Sequence, residues 1–95
     1  MRVRWTTPAR KQLVSAFEYI AEENRRAAAR TSDQIWESTQ LLARHPMAGK
    51  EGRLAGTREL VISGTPFIVA YRIEKIEVRI LAILHAAREW PEEFA

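Results

Sequence analysis

TRELVISGTPFIVAYRIEKIEVRILAILHAAREW, residues 57–90, is the stretch whose reading decides the fold. Val, Ile, Phe and Tyr fill three runs in it, as expected of side chains that cover a pleated, buried surface. Ser63-Gly64-Thr65-Pro66 separates the first two runs, and Glu74-Lys75 separates the second and third. Connections this short leave no room for crossover helices, so neighbouring strands are expected to be antiparallel. The strands are predicted at 57–62, 66–73 and 76–85, with a tail at 86–95.

Outward from that stretch, the chain supplies what a sheet needs to bury one face. Arg2–Trp5 alternates basic and apolar residues and is predicted to be an edge strand. Thr6-Thr7-Pro8 then offers a hydroxyl cap and a proline at the start of a helix. Leu13, Phe17, Ile20 and Ala21 recur at helical spacing, which predicts a helix over 7–23. A second helix is predicted over 25–44, with Ala28, Ile35 and Leu42 on one stripe. His45-Pro46 should end it, because the residue before a proline is pushed out of the helical region. Residues 46–56 hold three of the four glycines and read as a loop. The order β-α-α-β-β-β predicts a single α+β domain over 1–95, an antiparallel sheet with a helical hairpin packed on one face.

Composition narrows the function without naming it. The chain has 95 residues, 46% of them hydrophobic and 28% charged, as in an ordinary soluble globular protein. No apolar run approaches the roughly 20 residues that span a bilayer, and MRVRWTT lacks the apolar core of a secretory signal. With no cysteine there is no thiol chemistry, which suits the cytoplasm. Two histidines and no dense carboxylate cluster argue against a built-in metal or cofactor site. The net charge of +3, carried by twelve Arg against three Lys, favours an anionic partner.

The sheet carries apolar residues on both alternating faces, and a helical hairpin can cover only one. On the middle strand Phe67, Val69, Tyr71 and Ile73 alternate with Ile68, Ala70 and Arg72. On the last, Val78, Ile80, Ala82 and Leu84 alternate with Arg79, Leu81, Ile83 and His85. Strict alternation therefore leaves Ile68, Ala70, Leu81 and Ile83, rimmed by Arg72, Arg79 and His85, as an open apolar face. Such a patch marks a docking site for another chain. The alternative is that the long loop or residues 90–94 fold over it. Lys50, Arg53, Arg58, Arg72, Arg79 and Arg88 form a basic set that suits phosphates. His85 is the one well-placed general acid or base, against the simpler reading of a histidine that bonds backbone at a strand end. No nucleophile–base pair, phosphate-binding glycine motif or metal spacing is present.

The series GTREL…GTPFIVAYR…ILAILHAAR…WP, with the β-α-α-β-β-β order, resembles the RelE/ParE superfamily of bacterial toxins, across essentially the whole chain. That resemblance implies a type II toxin–antitoxin pair, in which an antitoxin drapes its C-terminal segment over the toxin and represses the operon through its own DNA-binding domain. RelE-like members are ribosome-dependent mRNA endonucleases with an arginine on the middle strand and often a C-terminal Tyr or His. Here that position falls on Ile68, no tyrosine follows Tyr71, and the tail is WPEEFA. ParE-like members inhibit DNA gyrase, and their last strand commonly ends as Ile83-Leu84-His85 does here. The resemblance therefore points to a ParE-like, non-enzymatic toxin directed at gyrase, with the antitoxin on Ile68, Ala70, Arg72, Arg79, Leu81, Ile83 and His85. The alternatives are a ribosome-dependent nuclease using His85 with Arg53, Arg58, Arg72 or Arg88, and a degenerate binding module without toxicity.

Overall fold

A computed structural model describes residues 1–88 and 90–94. The elements are β1 (Arg2–Trp5), α1 (Thr7–Ala21), α2 (Arg25–Leu41), β2 (Lys50–Glu51), β3 (Arg58–Val61), β4 (Phe67–Ile73) and β5 (Glu77–His85). Positions 89 and 95 of the predicted tail lie outside the described residues.

Local chemistry sets the helix boundaries. Thr6 caps α1, its hydroxyl accepting from the Ala9 N–H at 3.3 Å, and Pro8 sits in the first turn. Asn24 caps α2 through the Ala27 N–H at 2.9 Å. Both helices end earlier than the sequence predicts. After Leu41 the amides of Leu42, Ala43 and Arg44 bond three residues back, so the last turn tightens before Pro46 arrives.

The sheet is five-stranded in the order β1-β5-β4-β3-β2. β3, β4 and β5 are antiparallel neighbours, with Gly64 at φ 77° making the turn between β3 and β4. The expectation of a purely antiparallel sheet fails at one edge, where β1 runs parallel to β5. The short-connection rule fixes only strands joined by a few residues, and β1 reaches β5 through the rest of the chain. The loop expected at 46–56 also contributes β2, a two-residue extension antiparallel to β3.

The core lies between the helical hairpin and one sheet face. Ala9, Ile35, Leu42, Val69, Tyr71, Val78 and Ile80 are fully enclosed there. Each large aliphatic side chain buried this way contributes roughly 1.5–3 kcal/mol. Trp5 closes the β1 end of the core beneath Trp36, the two rings stacked with centroids 5.8 Å apart. Tyr71 ties the core to the loop: its hydroxyl donates to the Pro46 carbonyl at 2.6 Å and accepts from the Gly49 N–H at 2.9 Å.

Candidate functional site

One irregularity in β5 decides which side chains face where. Tyr71 pairs with Ile80 and Ala70 with Ala82, so Leu81 is an extra residue opposite no partner. A bulge of this kind slips the alternation by one. Before it, Val78 and Ile80 face the helices and Arg79 faces away. Beyond it, Ile83 pairs with Val69 and His85 with Phe67, on the helix side, while Ala82 and Leu84 join Ala70 and Ile68 on the outer face. The sequence expectation that Ile83 and His85 belong to the outer face is therefore wrong, because it assumed unbroken alternation.

The outer face is also less open than expected. Ile68 is 7% exposed, Leu81 6% and Ala82 2%, and Ala70 is fully buried. Residues of the tail, Trp90, Pro91 and Phe94, come over this face and leave a pocket of about 690 Å³ between them and Leu81, Ala82 and Leu84. Arg53 holds that cover from the loop side, its guanidinium 3.5 Å from the centre of the Trp90 ring. Glu59, buried at the centre of this face, accepts from the Arg53 N–H at 2.8 Å and pairs with Arg53 Nε at 3.7 Å. The alternative raised from the sequence, a tail folded over the apolar face, is the arrangement found.

Apart from Val61, which pairs with Ile68 and is 56% exposed, the accessible strand residues of the outer face include a basic row. Arg4 of β1, Arg79 of β5 and Arg72 of β4 stand in register across three adjacent strands. Glu77 approaches Arg4 at 3.6 Å and Glu74 approaches Arg79 at 4.0 Å. Arg72 donates to the Gly56 carbonyl at 3.4 Å.

On the helix side, the re-aimed end of β5 and α1 enclose a cleft of about 370 Å³. Ala16, Ile20, Phe67 and Ile83 supply an apolar lining, with Tyr19, His85 and Arg88 also lining it. The His85 ring meets Phe67 edge-on at 5.7 Å, and its Nδ1 accepts from the Ala87 N–H at 3.1 Å. The simpler reading of this histidine, a backbone bond at a strand end, accounts for one of its two nitrogens. Gln12 of α1 reaches over the β5 edge beyond β1, where its Oε1 accepts from the Ile83 N–H at 2.8 Å. Arg88 lies over the Tyr19 ring at 5.6 Å. Gln12 and Tyr19 carry no sequence motif, and only the bulge makes them neighbours of His85.

The residues expected of a nuclease do not converge. Arg58 spends its guanidinium on the Gly49 and Met47 carbonyls, and Arg53 is taken up by Glu59 and Trp90. Arg72 pairs opposite Arg79, six residues along β5 from His85 and on the other face. Of the five, only His85 and Arg88 line one cleft. Among the described residues, no three His, Cys, Asp or Glu side chains group as metal ligands would. No described helix is long and apolar enough to cross a membrane.

A helical hairpin on a five-stranded sheet, with β1 on one side of the bulged β5 and β4, β3 and β2 on the other, is an architecture shared with a solved type II toxin–antitoxin structure. Residues 3–90 match the family described as the ParE toxin of the type II toxin–antitoxin system parDE, and the chain belongs to that family. It is 40% identical over 91 residues to "Putative toxin Y4kP" of Sinorhizobium fredii, covering 96% of this chain and 94% of that one. Among solved structures it resembles the chromosomal ParDE toxin–antitoxin system from P. aeruginosa, with a TM-score of 0.80 and 25% identity, over 90% of this chain and 95% of that one.

Proposed function

We propose that this ParE-family toxin arrests growth by acting on DNA gyrase in the cytoplasm, without cutting nucleic acid itself, and that a cognate antitoxin neutralises it. The family match supports a ParE-type target, and the scatter of the basic side chains weighs against a nuclease. At roughly 3.3 Å per strand residue, the Arg72–Arg79 pair stands about 20 Å from His85, and Arg53 and Arg58 are committed to structural partners. A general acid or base needs its substrate-binding groups within hydrogen-bond reach, so an mRNA endonuclease finds little support in this arrangement.

The antitoxin contact needs revision along with the faces. Of the seven positions expected to hold it, Arg72 and Arg79 remain reachable, while Ile68, Ala70 and Leu81 lie under cover. An antitoxin that used Leu81 would have to enter the pocket that this side chain shares with Trp90, Pro91 and Phe94. Operator DNA is contacted through the antitoxin, so the toxin's own charge is free for other partners.

The test is a supercoiling reaction with purified gyrase, titrated with toxin and then with antitoxin. Trapped cleaved DNA that disappears on adding antitoxin is the expected result. Normal supercoiling at saturating toxin, from a preparation that still arrests growth, sinks the gyrase assignment, and codon-positioned cuts in translated mRNA would replace it with the ribosome.

A further inference from the structure

We infer that the cleft between α1 and the carboxyl end of β5 seats an apolar side chain flanked by a carboxylate, presented by an acidic segment of the antitoxin. This rests on the reading above that an antitoxin binds this chain, and adds where it binds and by what chemistry.

The cleft is largely apolar in its lining and rich in donors, with the Ser15 and Tyr19 hydroxyls able to donate as well as accept. Ala16, Ile20, Phe67 and Ile83 line it, and Tyr19 stands 67% exposed beside it. Two of its side-chain acceptors are already in use. Gln12 Oε1 is taken by the Ile83 N–H, which leaves its amide NH₂ to donate. His85 Nδ1 is taken by the Ala87 N–H, so the ring proton sits on Nε2 and donates too. Arg88 is a donor only, and the Tyr19 ring holds its guanidinium at this cleft. No Asp or Glu is among the described residues that line it. Three donor groups around an apolar lining call for an acceptor that bears negative charge on an apolar stem. A peptide meets both demands where an aliphatic or aromatic residue stands beside Asp or Glu.

Charge complementarity selects the occupant. The chain carries +3 overall, which disfavours a second copy of itself at a site already rimmed by Arg88. The volume, about 370 Å³, lies near the small end of the roughly 300–1,000 Å³ of ligand clefts and suits one or two side chains. The outer face holds a pocket of about 690 Å³ between Leu81, Ala82 and Leu84 and the tail, but Glu93 lines that pocket, whereas no described carboxylate lines the cleft beside Arg88.

The experiment measures binding of purified antitoxin, taken as the neighbouring-frame protein that restores growth, to folded variants of the full chain. Arg88→Glu reverses the charge at an exposed position, Ala16→Trp fills the cleft, and Arg72→Glu alters the outer face. Thermal unfolding checks that each variant is folded. Arg88→Glu and Ala16→Trp should each weaken binding about tenfold or more, and Arg72→Glu by less than roughly threefold. An Asp or Glu to Arg change in the antitoxin should restore affinity for Arg88→Glu alone. Wild-type affinity in both cleft variants overturns the inference while leaving the toxin–antitoxin reading intact, as does a loss confined to Arg72→Glu. Failure of the unaltered chain to bind any antitoxin overturns both.

Discussion

Replacing Tyr71 with Phe removes one oxygen atom and tests how the loop before β2 is held. That hydroxyl is enclosed, donating to the Pro46 carbonyl at 2.6 Å and accepting from the Gly49 N–H at 2.9 Å. Phenylalanine fills the same ring space, so no core packing is lost, but two backbone groups lose their partner at once. A buried group left unpaired costs about 1–3 kcal/mol. Gly49 is buried and bears the full cost, whereas Pro46 is half-exposed and water can reach its carbonyl. The sum is about 2–4 kcal/mol. For a chain this short each kcal/mol moves the melting temperature by roughly 4–8 °C, so Tyr71→Phe should melt roughly 8–32 °C below the wild type. Urea unfolding followed by circular dichroism should show a lower midpoint at an unchanged slope. A companion variant sharpens the test. A methyl at Gly49 would stand 2.7 Å from the Tyr71 hydroxyl, 2.8 Å from its Cε1 and 2.7 Å from the Glu59 carbonyl. Gly49→Ala should therefore be severe, and only partly relieved when combined with Tyr71→Phe, since two of the three close contacts remain. A loss below about 0.5 kcal/mol in Tyr71→Phe alone would refute the reasoning, because unpaired buried groups cannot be that cheap.

Two further outcomes follow from other contacts. Thr6→Ala should cost about 1–2 kcal/mol in urea unfolding and Thr6→Ser far less, because the hydroxyl caps α1 while donating to the Ile80 carbonyl at 2.9 Å; equal losses in both would assign the effect to the methyl group. Trp90→Ala should raise the fluorescence of a hydrophobic dye such as ANS and lower stability by about 1 kcal/mol, since the ring covers outer-face residues and receives Arg53; unchanged dye binding would mean the tail does not protect that face.

Much of this was legible in the residues. The three C-terminal strands, the two helices and the cap of the first follow from turn chemistry and helical spacing, and they are where the structure has them to within a few positions. The β4 alternation read correctly as well, because Arg72 and Ile73 break the apolar run and fix which parity faces the helices. β5 gave no such break. Ile80-Leu81-Ala82-Ile83-Leu84 is apolar at every position, so a one-residue slip leaves no trace in the pattern. Only the pairing to β4 reveals that Leu81 is extra. The parallel partner of β5 was hidden for a different reason: β1 lies at the far end of the chain, where no short connection constrains direction.

Strand pairing on the near side of that slip gathers charge. Arg4, Arg79 and Arg72 sit directly opposite one another on neighbouring strands, an arrangement that costs roughly 0.2–1 kcal/mol per like-charged pair. Glu77 and Glu74, at 3.6 and 4.0 Å, offset part of that repulsion within the fold. Arg53 has Glu59, and Arg58 has two backbone carbonyls. The outer-face and loop arginines thus already meet carboxylates or carbonyls of their own chain. Arg88 meets an aromatic ring instead, beside a cleft whose lining holds no described carboxylate. A cation resting on a ring keeps its hydrogen-bond donors open, so an incoming carboxylate gains there what it would have to compete for elsewhere. The basic balance of the composition, which by itself named only an anionic partner, becomes a statement about one place on the surface.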